Sequence, residues 1–566
     1  MASESHYYQL TLDKLLYHGL YMAPEQRIYY RDKLSYTLRE FRDRVEKLAA
    51  ALSSLGVRTA NGAWKMGDRV ATLDWNTHWH YEAYFAIPMM GAVLHTINVR
   101  LAPQEIIYIM NHAEDKVLIA HQDFWPLVEK IAPQLKTVEK IVVLRESEQL
   151  ELPSKVAGKE VLDYEAMLRD YGKGGYKFEE LDENTVAAMC YTSGTTGLPK
   201  GVYHTHRQIV LHSISVLLQV SAFIPKEFQL NYQSVFMHIV PMFHVYSWGI
   251  PYAMTLLGAK QVFPGRFDAG LYLRLMAEHG VTHTDGVPTV LYMLLTHPDF
   301  PKYRDKIKGL VFVCGGSALP RGLAKLAWDN GIRAIVGYGL TETAPVLTIA
   351  TITHDLVNAP EDVKWEHLAQ RTGLPIPLVQ LRVVDEEMRD VPRDGKTMGE
   401  IVVRAPWVTR EYYKDPEKTA KAWRGGWFHT GDIAVWDQRG YILIMDRDKD
   451  VIKSGGEWIS SLRLESLISL HECVGEVAVI AARHPKWQER PVAIIVPKPG
   501  CEEKLKPDDI MAHLKKFVDQ GAIPKWWLPD KIIITREELP KTSVGKINKR
   551  VLRERYAGVL EQEQGK

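Results

Sequence analysis

Apolar positions along the chain alternate between helical and strand periods, and this alternation gives the first picture of the fold. Leu38, Phe41, Val45, Leu48, Leu52 and Leu55 follow one another at spacings of three and four, which paints one apolar face on a helix. Thr37 and Glu40 stand in front of that face as a capping box, a hydroxyl and a carboxylate that satisfy free amide hydrogens at a helix start. Gly56 is placed to end the helix. Residues 70–73 then read as a strand, 78–90 as a helix and 93–97 as a strand. Pro103 opens another helix, and 116–120 read as a strand again. The alternation predicts an α/β domain with a mainly parallel sheet, and it resumes after residue 185 and continues to about residue 350.

The pattern changes near residue 375. Short β-rich segments, 379–385 and 400–404, are divided by polar turns and predict a small, barrel-like β subdomain. A charged stretch, 446–450, then separates two apolar strands. The remaining residues suffice for a compact α+β domain, so the predicted organisation is a large N-terminal domain, 1–448, followed by a small C-terminal domain, 449–566. The polar, glycine-rich segment 173–184 reads as a surface loop.

Composition narrows the class. Across 566 residues, 46% are apolar and 25% charged, ordinary for a soluble globular protein, and the net charge of +1 gives no basic excess for a nucleic-acid partner. Cys190, Cys314, Cys473 and Cys501 are too scattered for a disulfide framework and form no C-x-x-C pair, which fits a reducing cytosol. The N-terminus has no basic region followed by an apolar core, and no apolar run reaches about 18 residues, so neither a signal peptide nor a membrane span is expected. The terminal EQEQGK is not a peroxisomal address. A cytoplasmic location follows as the expectation.

The strongest chemical signal is segment 191–201, YTSGTTGLPKG, directly after an apolar strand. Its glycines let backbone amides turn toward an anion, its hydroxyls donate further hydrogen bonds, and Lys200 adds a positive charge. The loop suits a polyphosphate, although the spacing of the P-loop NTPases is absent. Segment 338–343, YGLTET, follows another apolar strand, where α/β sheets bind ligands. There Glu342 is a hard oxygen ligand suited to Mg²⁺ on ATP, and Thr341 is placed to bond the α-phosphate. Segment 314–320, CGGSALP, ends a strand with paired glycines that allow a flat base to approach the backbone. Segment 427–432, WFHTGD, presents Asp432 after a tight turn, able to accept both ribose hydroxyl hydrogens.

Taken in order with PMFHVYSWG at 241–249, these motifs make the chain resemble the acyl-adenylate-forming superfamily over nearly its whole length. That superfamily includes acyl-CoA synthetases, luciferases and nonribosomal peptide adenylation domains, and the branch most similar here is that of medium-chain acyl-CoA and methylmercaptopropionate-CoA ligases. The resemblance implies an AMP-forming ligase that joins a carboxylic acid to coenzyme A through an acyl-AMP, using ATP and Mg²⁺, in a cytoplasmic homodimer. It assigns Thr192, Ser193, Gly194, Thr195, Thr196, Gly197 and Lys200 to the phosphates. Gly315, Gly316, Ser317, Tyr338 and Gly339 fall to the adenine side, and Asp432 and Arg447 to the ribose. Arg447 stands in a D-R-D-K-D version of the family's G-R-x-K-D motif, with Asp446 in place of the first glycine and Lys449 at the hinge. Lys546, in LPKTSVGKI, becomes the mobile lysine of adenylation, while Lys541 is its nearby decoy. His244 is implied to orient the substrate carboxylate. Tyr246, Trp248, Val287 and Pro288 are implied to line the acyl pocket, and Ser454, Gly455, Gly456 and Trp458 the path of the pantetheine arm. Large aromatics at 246 and 248 argue for a short or medium chain, or a small hydroxy acid such as 4-hydroxybutyrate. Two other readings share the motifs: an adenylating enzyme that loads a carrier protein, and a luciferase-like oxygenase.

Overall fold

The computed structural model describes residues 6–147, 149–192, 198–455, 457–541 and 547–560. The first predicted helix forms as Leu38–Ser54, with Thr37 Oγ1 accepting from the Glu40 amide at 3.1 Å and the Glu40 carboxylate accepting from the Thr37 amide at 2.7 Å. Its apolar face is buried, with Phe41, Val45, Leu48 and Leu52 excluded from solvent, and Gly56 ends the run in the left-handed region at φ 85°. The predicted strands and helices of the next stretch appear as Arg69–Leu73, His78–Met89, Val93–Thr96, Pro103–Ala113 and Asp115–His121. No regular element covers 173–184.

Among the described residues the strands assemble into four sheets. One has a parallel centre that runs Val186–Tyr191, Val93–Thr96, Arg69–Leu73, Asp115–His121, Lys140–Leu144 and Lys159–Asp163. Gly201–Thr205 pairs antiparallel at its edge, folding back on the strand that leads into the glycine-rich loop. The second has a parallel centre that runs Arg333–Gly339, Val311–Cys314, His283–Gly286, Val235–Met237, Lys260–Phe263 and Arg27–Tyr30. Strands such as Val186–Tyr191, Lys140–Leu144 and Val311–Cys314 read as near-continuous apolar runs, as parallel strands covered by helices do, whereas His283–Gly286 is polar. A third sheet, antiparallel, runs Gln380–Val384, Gly399–Arg404, Phe428–Trp436 and Ile442–Arg447, and is the small β subdomain. The fourth is built on the long hairpin Val474–His484 and Gln488–Pro497, and it carries the C-terminal α+β unit.

The turn after strand Arg333–Gly339 is tightly closed. The Leu340 amide donates to the Pro345 carbonyl at 3.2 Å, Ala344 has φ 65°, and the Ala344–Pro345 peptide is cis. A Cβ on Gly339 would lie 1.8 Å from the Pro345 carbonyl oxygen, a contact no side chain can make.

The cysteine expectation is corrected here. Cys473 and Cys501 are bonded, with Cα atoms 5.5 Å apart, and tie the start of strand Val474–His484 to the loop after its hairpin partner. Two cysteines separated by 28 residues give no local signal, since only the returning hairpin brings them together. Cys190 and Cys314 remain as buried thiols. Thiol titration of the denatured, unreduced protein is therefore expected to find the two thiols of Cys190 and Cys314, and all four after reduction. Four thiols before reduction would show that the pair is open. Replacing Gly339 with Ala should cost about 3 kcal/mol or more through steric conflict and backbone strain, seen as a lowered melting temperature of the purified variant.

Candidate functional site

The ends of the strands frame one continuous cavity of about 1850 Å³. One part of its wall is polar. Thr192 and Lys200, at the two ends of the glycine-rich loop, border it together with Thr341, Glu342 and Tyr412. The Tyr412 hydroxyl donates to the Glu342 carboxylate at 2.7 Å, and Lys200 Nζ stands 3.9 Å from the same oxygen and 3.9 Å from the Tyr412 ring centroid. Burial lowers the Lys200 ammonium from its ordinary range, and the Glu342 charge acts in the opposite direction. An anion arriving in this space meets a cation whose desolvation is already in place.

No group of three or more His, Cys, Asp or Glu among the described residues forms a metal site. One carboxylate facing the polar end still fits Mg²⁺, because that ion is commonly held by one or two carboxylates plus substrate phosphates and water.

A second polar cluster joins three parts of the chain. Asp432, from strand Phe428–Trp436, is 3% exposed, and one of its oxygens accepts the Tyr338 hydroxyl at 2.7 Å. The other lies 3.2 Å from Arg447 Nε, directly across the antiparallel register. The tight turn expected before Asp432 is not formed: Gly431, at φ 70°, lies within the strand where its pairing is irregular, and its carbonyl accepts from the Asp448 amide at 3.0 Å. Burial together with the Asp432 charge holds the Tyr338 phenol well above its ordinary range, so it stays a donor. Lys449 follows at the cavity wall.

The apolar part of the cavity has a floor and a lid. The floor is one face of the second sheet, where the register sets Asp285 beside Val313 and Val313 beside Ile335. The lid is Val216, Leu217 and Val220 of helix His206–Ala222, with Ile250, Ala253 and Met254 of helix Ile250–Leu257. Between floor and polar wall stand His244 and Trp248. They reach it through an unusual turn in which Val245, Tyr246, Ser247 and Trp248 all have positive φ, at 44°, 55°, 49° and 56°. Left-handed backbone costs an L-residue roughly 1–2 kcal/mol each, and the surroundings hold it in place. Ser247 Oγ donates to the Val240 carbonyl at 3.0 Å, and Asn76 bonds the chain ahead of the turn, through the Val240 carbonyl at 2.9 Å and the Met242 amide at 2.9 Å. A Cβ on Gly315 would stand 2.9 Å from the Trp248 ring, so glycine there lets the indole lie against the strand end.

The cavity thus gathers Thr192, Lys200, His244, Trp248, Pro288, Gly315, Gly316, Ser317, Tyr338, Gly339, Thr341, Glu342, Asp432, Arg447, Lys449 and Trp458. It does not gather Tyr246, which points the other way. Its ring is 1% exposed and its hydroxyl lies 3.3 Å from His204 Nδ1, because successive residues of the left-handed turn face different sides. Val287 caps helix Pro288–Leu295 and is likewise absent from the lining. Ser454 and Gly455 form a turn set against Trp487, with the Gly455 amide donating to the Trp487 carbonyl at 3.0 Å. Ser454 itself is bonded by Arg490 at 3.3 Å, so neither residue borders the cavity. Ser193, Gly194, Thr195, Thr196, Gly197, Gly456 and Lys546 lie outside the described residues. Ile547 and Lys549, just past Lys546, border the cavity, and Lys541 is paired with Glu476 at 2.7 Å. Sequence reasoning missed Tyr412 and Asp285, since neither sits in a motif and only the folded chain carries them to the wall.

Similarity to known proteins agrees with this geometry. The family described as AMP-binding enzyme matches residues 19–413, and its C-terminal domain matches residues 463–546. A long-chain-fatty-acid–CoA ligase of Thermus thermophilus is 46% identical over 92% of this chain and 90% of its own length. A medium-chain-fatty-acid–CoA ligase of Ectopseudomonas oleovorans is 38% identical over 91% and 90%, and a 3-methylmercaptopropionyl-CoA ligase of Ruegeria pomeroyi 37% identical over 92% and 91%. Among solved structures, the anthranilate–CoA ligase AuaEII in complex with anthranoyl-AMP superposes with a TM-score of 0.81 at 25% identity, covering 97% of each chain. ATP-bound MatB from Rhodopseudomonas palustris gives 0.78 at 25% identity, over 98% of this chain and 100% of its own. With residues 19–413 and 463–546 matched, this chain belongs to the AMP-binding enzyme family.

Proposed function

We propose that this enzyme is an AMP-forming carboxylate–CoA ligase, which converts an acid, ATP and CoA into acyl-CoA, AMP and pyrophosphate. One observation carries the reading. A single cavity joins the Lys200–Glu342 wall, the Asp432–Arg447 pair and an apolar arm lined by residues such as Val216, Val220 and Val313. An acid whose carboxylate lies near His244 then has its tail on the sheet floor and its head beside the phosphate space. The two open alternatives, carrier loading and oxygenation, are disfavoured by the relatives, whose names describe CoA ligases.

In the first half-reaction a carboxylate oxygen attacks the α-phosphorus and pyrophosphate leaves. The approach brings anion toward anion, so positive groups fixed in advance supply much of the rate. Lys200, together with the hydroxyls and amides of 192–197, takes this part on the pyrophosphate side, and Thr341 on the α-phosphate. Lys546 contributes from the C-terminal unit. Glu342 would hold Mg²⁺, which supplies charge neutralisation for the triphosphate. Asp432 accepts from the ribose hydroxyls while Arg447 fixes its orientation, and Tyr338 with Gly315 and Gly316 borders the base.

In the second half-reaction the CoA thiol attacks the acyl carbonyl and AMP leaves. One site serving both steps requires Lys546 to withdraw, and the proposed hinge is Lys449, between an N-terminal domain of 1–448 and a C-terminal domain of 449–566. Asp446 lies before that hinge and Ser461 after it. The Asp446 carboxylate accepts from the Ser461 amide at 2.7 Å and its hydroxyl at 2.6 Å, so the rotation must release these bonds. Ser454, Gly455, Gly456 and Trp458 would then meet the pantetheine arm. No described helix is long and apolar enough to cross a membrane. By its resemblance to the family the enzyme works in the cytoplasm as a homodimer.

The relatives act on long-chain and medium-chain fatty acids and on 3-methylmercaptopropionate, as their names state, and unbranched acids of this range are the proposed substrate class. The test is AMP formation across acids of graded length, with and without CoA. CoA-dependent AMP release is expected, and pyrophosphate release indifferent to CoA would favour carrier loading or oxygenation. Lys546→Ala is expected to slow acyl-AMP formation about 100-fold or more while conversion of supplied acyl-AMP to thioester persists. Undiminished adenylation would mean another lysine does this work. Asp432→Asn should raise the KM for ATP by at least about tenfold and lower the melting temperature, because it leaves Arg447 without its buried partner.

A further inference from the structure

Gly322 lies in the first turn of helix Arg321–Asp329, on the wall of the cavity. Its backbone is helical and not left-handed, so its conformation does not require glycine, and alanine would suit the helix better. The reason for glycine is a neighbour from the C-terminal unit. A Cβ at 322 would stand 2.4 Å from the carbonyl oxygen of Ser469, a contact no side chain can make. The Gly322 amide also donates to Ser469 Oγ at 3.4 Å.

Ser469 ends helix Ser461–Ile468, and the N-terminal domain holds that helix at both ends. At its start, Ser460 Oγ donates to the Met445 carbonyl, and the Asp446 carboxylate accepts from the Ser461 amide and hydroxyl. At its end stands Gly322. Between the two, Arg463 interacts with Glu366, whose ion-pair partner is Arg321 of the same helix as Gly322. One contact fixes a point, whereas two contacts about 12 Å apart along a helix fix an orientation. In this orientation Ile547 and Lys549 border the cavity, while Ser454 and Gly455 face Arg490 and Trp487. On the reading above, that is the arrangement for the first half-reaction.

Resting on the ligase reading above, we propose that Gly322 is a positioning residue for acyl-AMP formation, because it gives the Ser469 carbonyl the space to seat the C-terminal unit in the orientation from which Lys546 acts. A side chain at 322 would hold that unit roughly 1 Å off, the shortfall against an ordinary contact. A displacement of this size costs the step a catalytic group serves up to about 100-fold. The second half-reaction uses the unit after it has turned, so the same side chain leaves that step untouched.

The test separates the half-reactions in the wild type, Gly322→Ala and Gly322→Leu, with the alkanoate that the wild type turns over fastest. Acyl-AMP formation is read as pyrophosphate released in a single turnover without CoA, over a range of ATP concentrations. Thioester formation is read as conversion of supplied acyl-AMP with CoA. The maximal rate of acyl-AMP formation is expected to fall at least about tenfold in Gly322→Ala and further in Gly322→Leu. The KM for ATP and the rate of thioester formation should be kept, and the melting temperature of Gly322→Ala kept or raised. Loss in both half-reactions or only in the second, or a Gly322→Ala protein that does not fold, would show a merely structural contact and overturn the proposal. A raised KM with an unchanged maximal rate would mean that the glycine leaves room for a substrate, and would overturn it too, as would acyl-AMP formation unchanged in both variants. A wild type that releases AMP with none of the alkanoates, or without need of CoA, would overturn the ligase reading itself, and that result is seen before any variant is compared.

Discussion

Asp432 holds together parts of the molecule that are far apart in sequence. Its two oxygens engage Tyr338, at the end of a strand in the second parallel sheet, and Arg447, on the last strand before the C-terminal unit. At 3% exposure this carboxylate has little water to share, so its charge is balanced by its neighbours or not at all. The consequence is architectural. The small β subdomain is held against the sheet at the edge that borders the cavity's polar wall, and the polypeptide leaves Arg447 there. The chain beyond, Lys449 included, starts from that pair, and the C-terminal unit is held further by the bonds of Asp446 to Ser461.

A second fixed point is the left-handed turn from Val245 to Trp248. Four consecutive L-residues in this conformation are unfavourable on their own. They persist because the segment leading into them is clamped by Asn76 and Asp285 and because Tyr246, within the turn, is buried. The strain yields an arrangement a right-handed turn would not give, with His244 and Trp248 facing the cavity while Tyr246 faces the core. Trp248 lies against Gly315 and Asp285 supports the segment leading into the turn, so nucleotide side and acyl side share the same few contacts.

The cysteine pair shows how the C-terminal unit is stabilised differently from the rest. It has a smaller core, built around Ile452, Leu464, Val479 and Ile495, and it carries the Cys473–Cys501 bond across the base of its long hairpin. Small units bury a lower fraction of their surface and profit more from a cross-link. Cys190 and Cys314 sit in the large unit, where burial raises both thiols well above the ordinary value and keeps them unreactive.

The sequence by itself determined what depends on local order. The capping box at Thr37 and Glu40 and the strand–helix alternation follow from neighbours a few residues apart, and both appear in the fold where the pattern puts them. Motif residues such as Lys200, Glu342, Asp432 and Arg447 were legible because their chemistry is carried by short, dense runs. Tertiary structure alone decided which side chains of an apolar run face the cavity. Tyr246 and Trp248 are two residues apart, and only the unusual backbone of their turn sends one to the core and the other to the cavity. It also decided that Tyr412 bonds Glu342 across 70 residues, that Cys473 meets Cys501, and that Asp285 lies on an apolar floor. Such contacts arise from strand register and chain return, whose energies are sums over distant partners, so no window of sequence contains them.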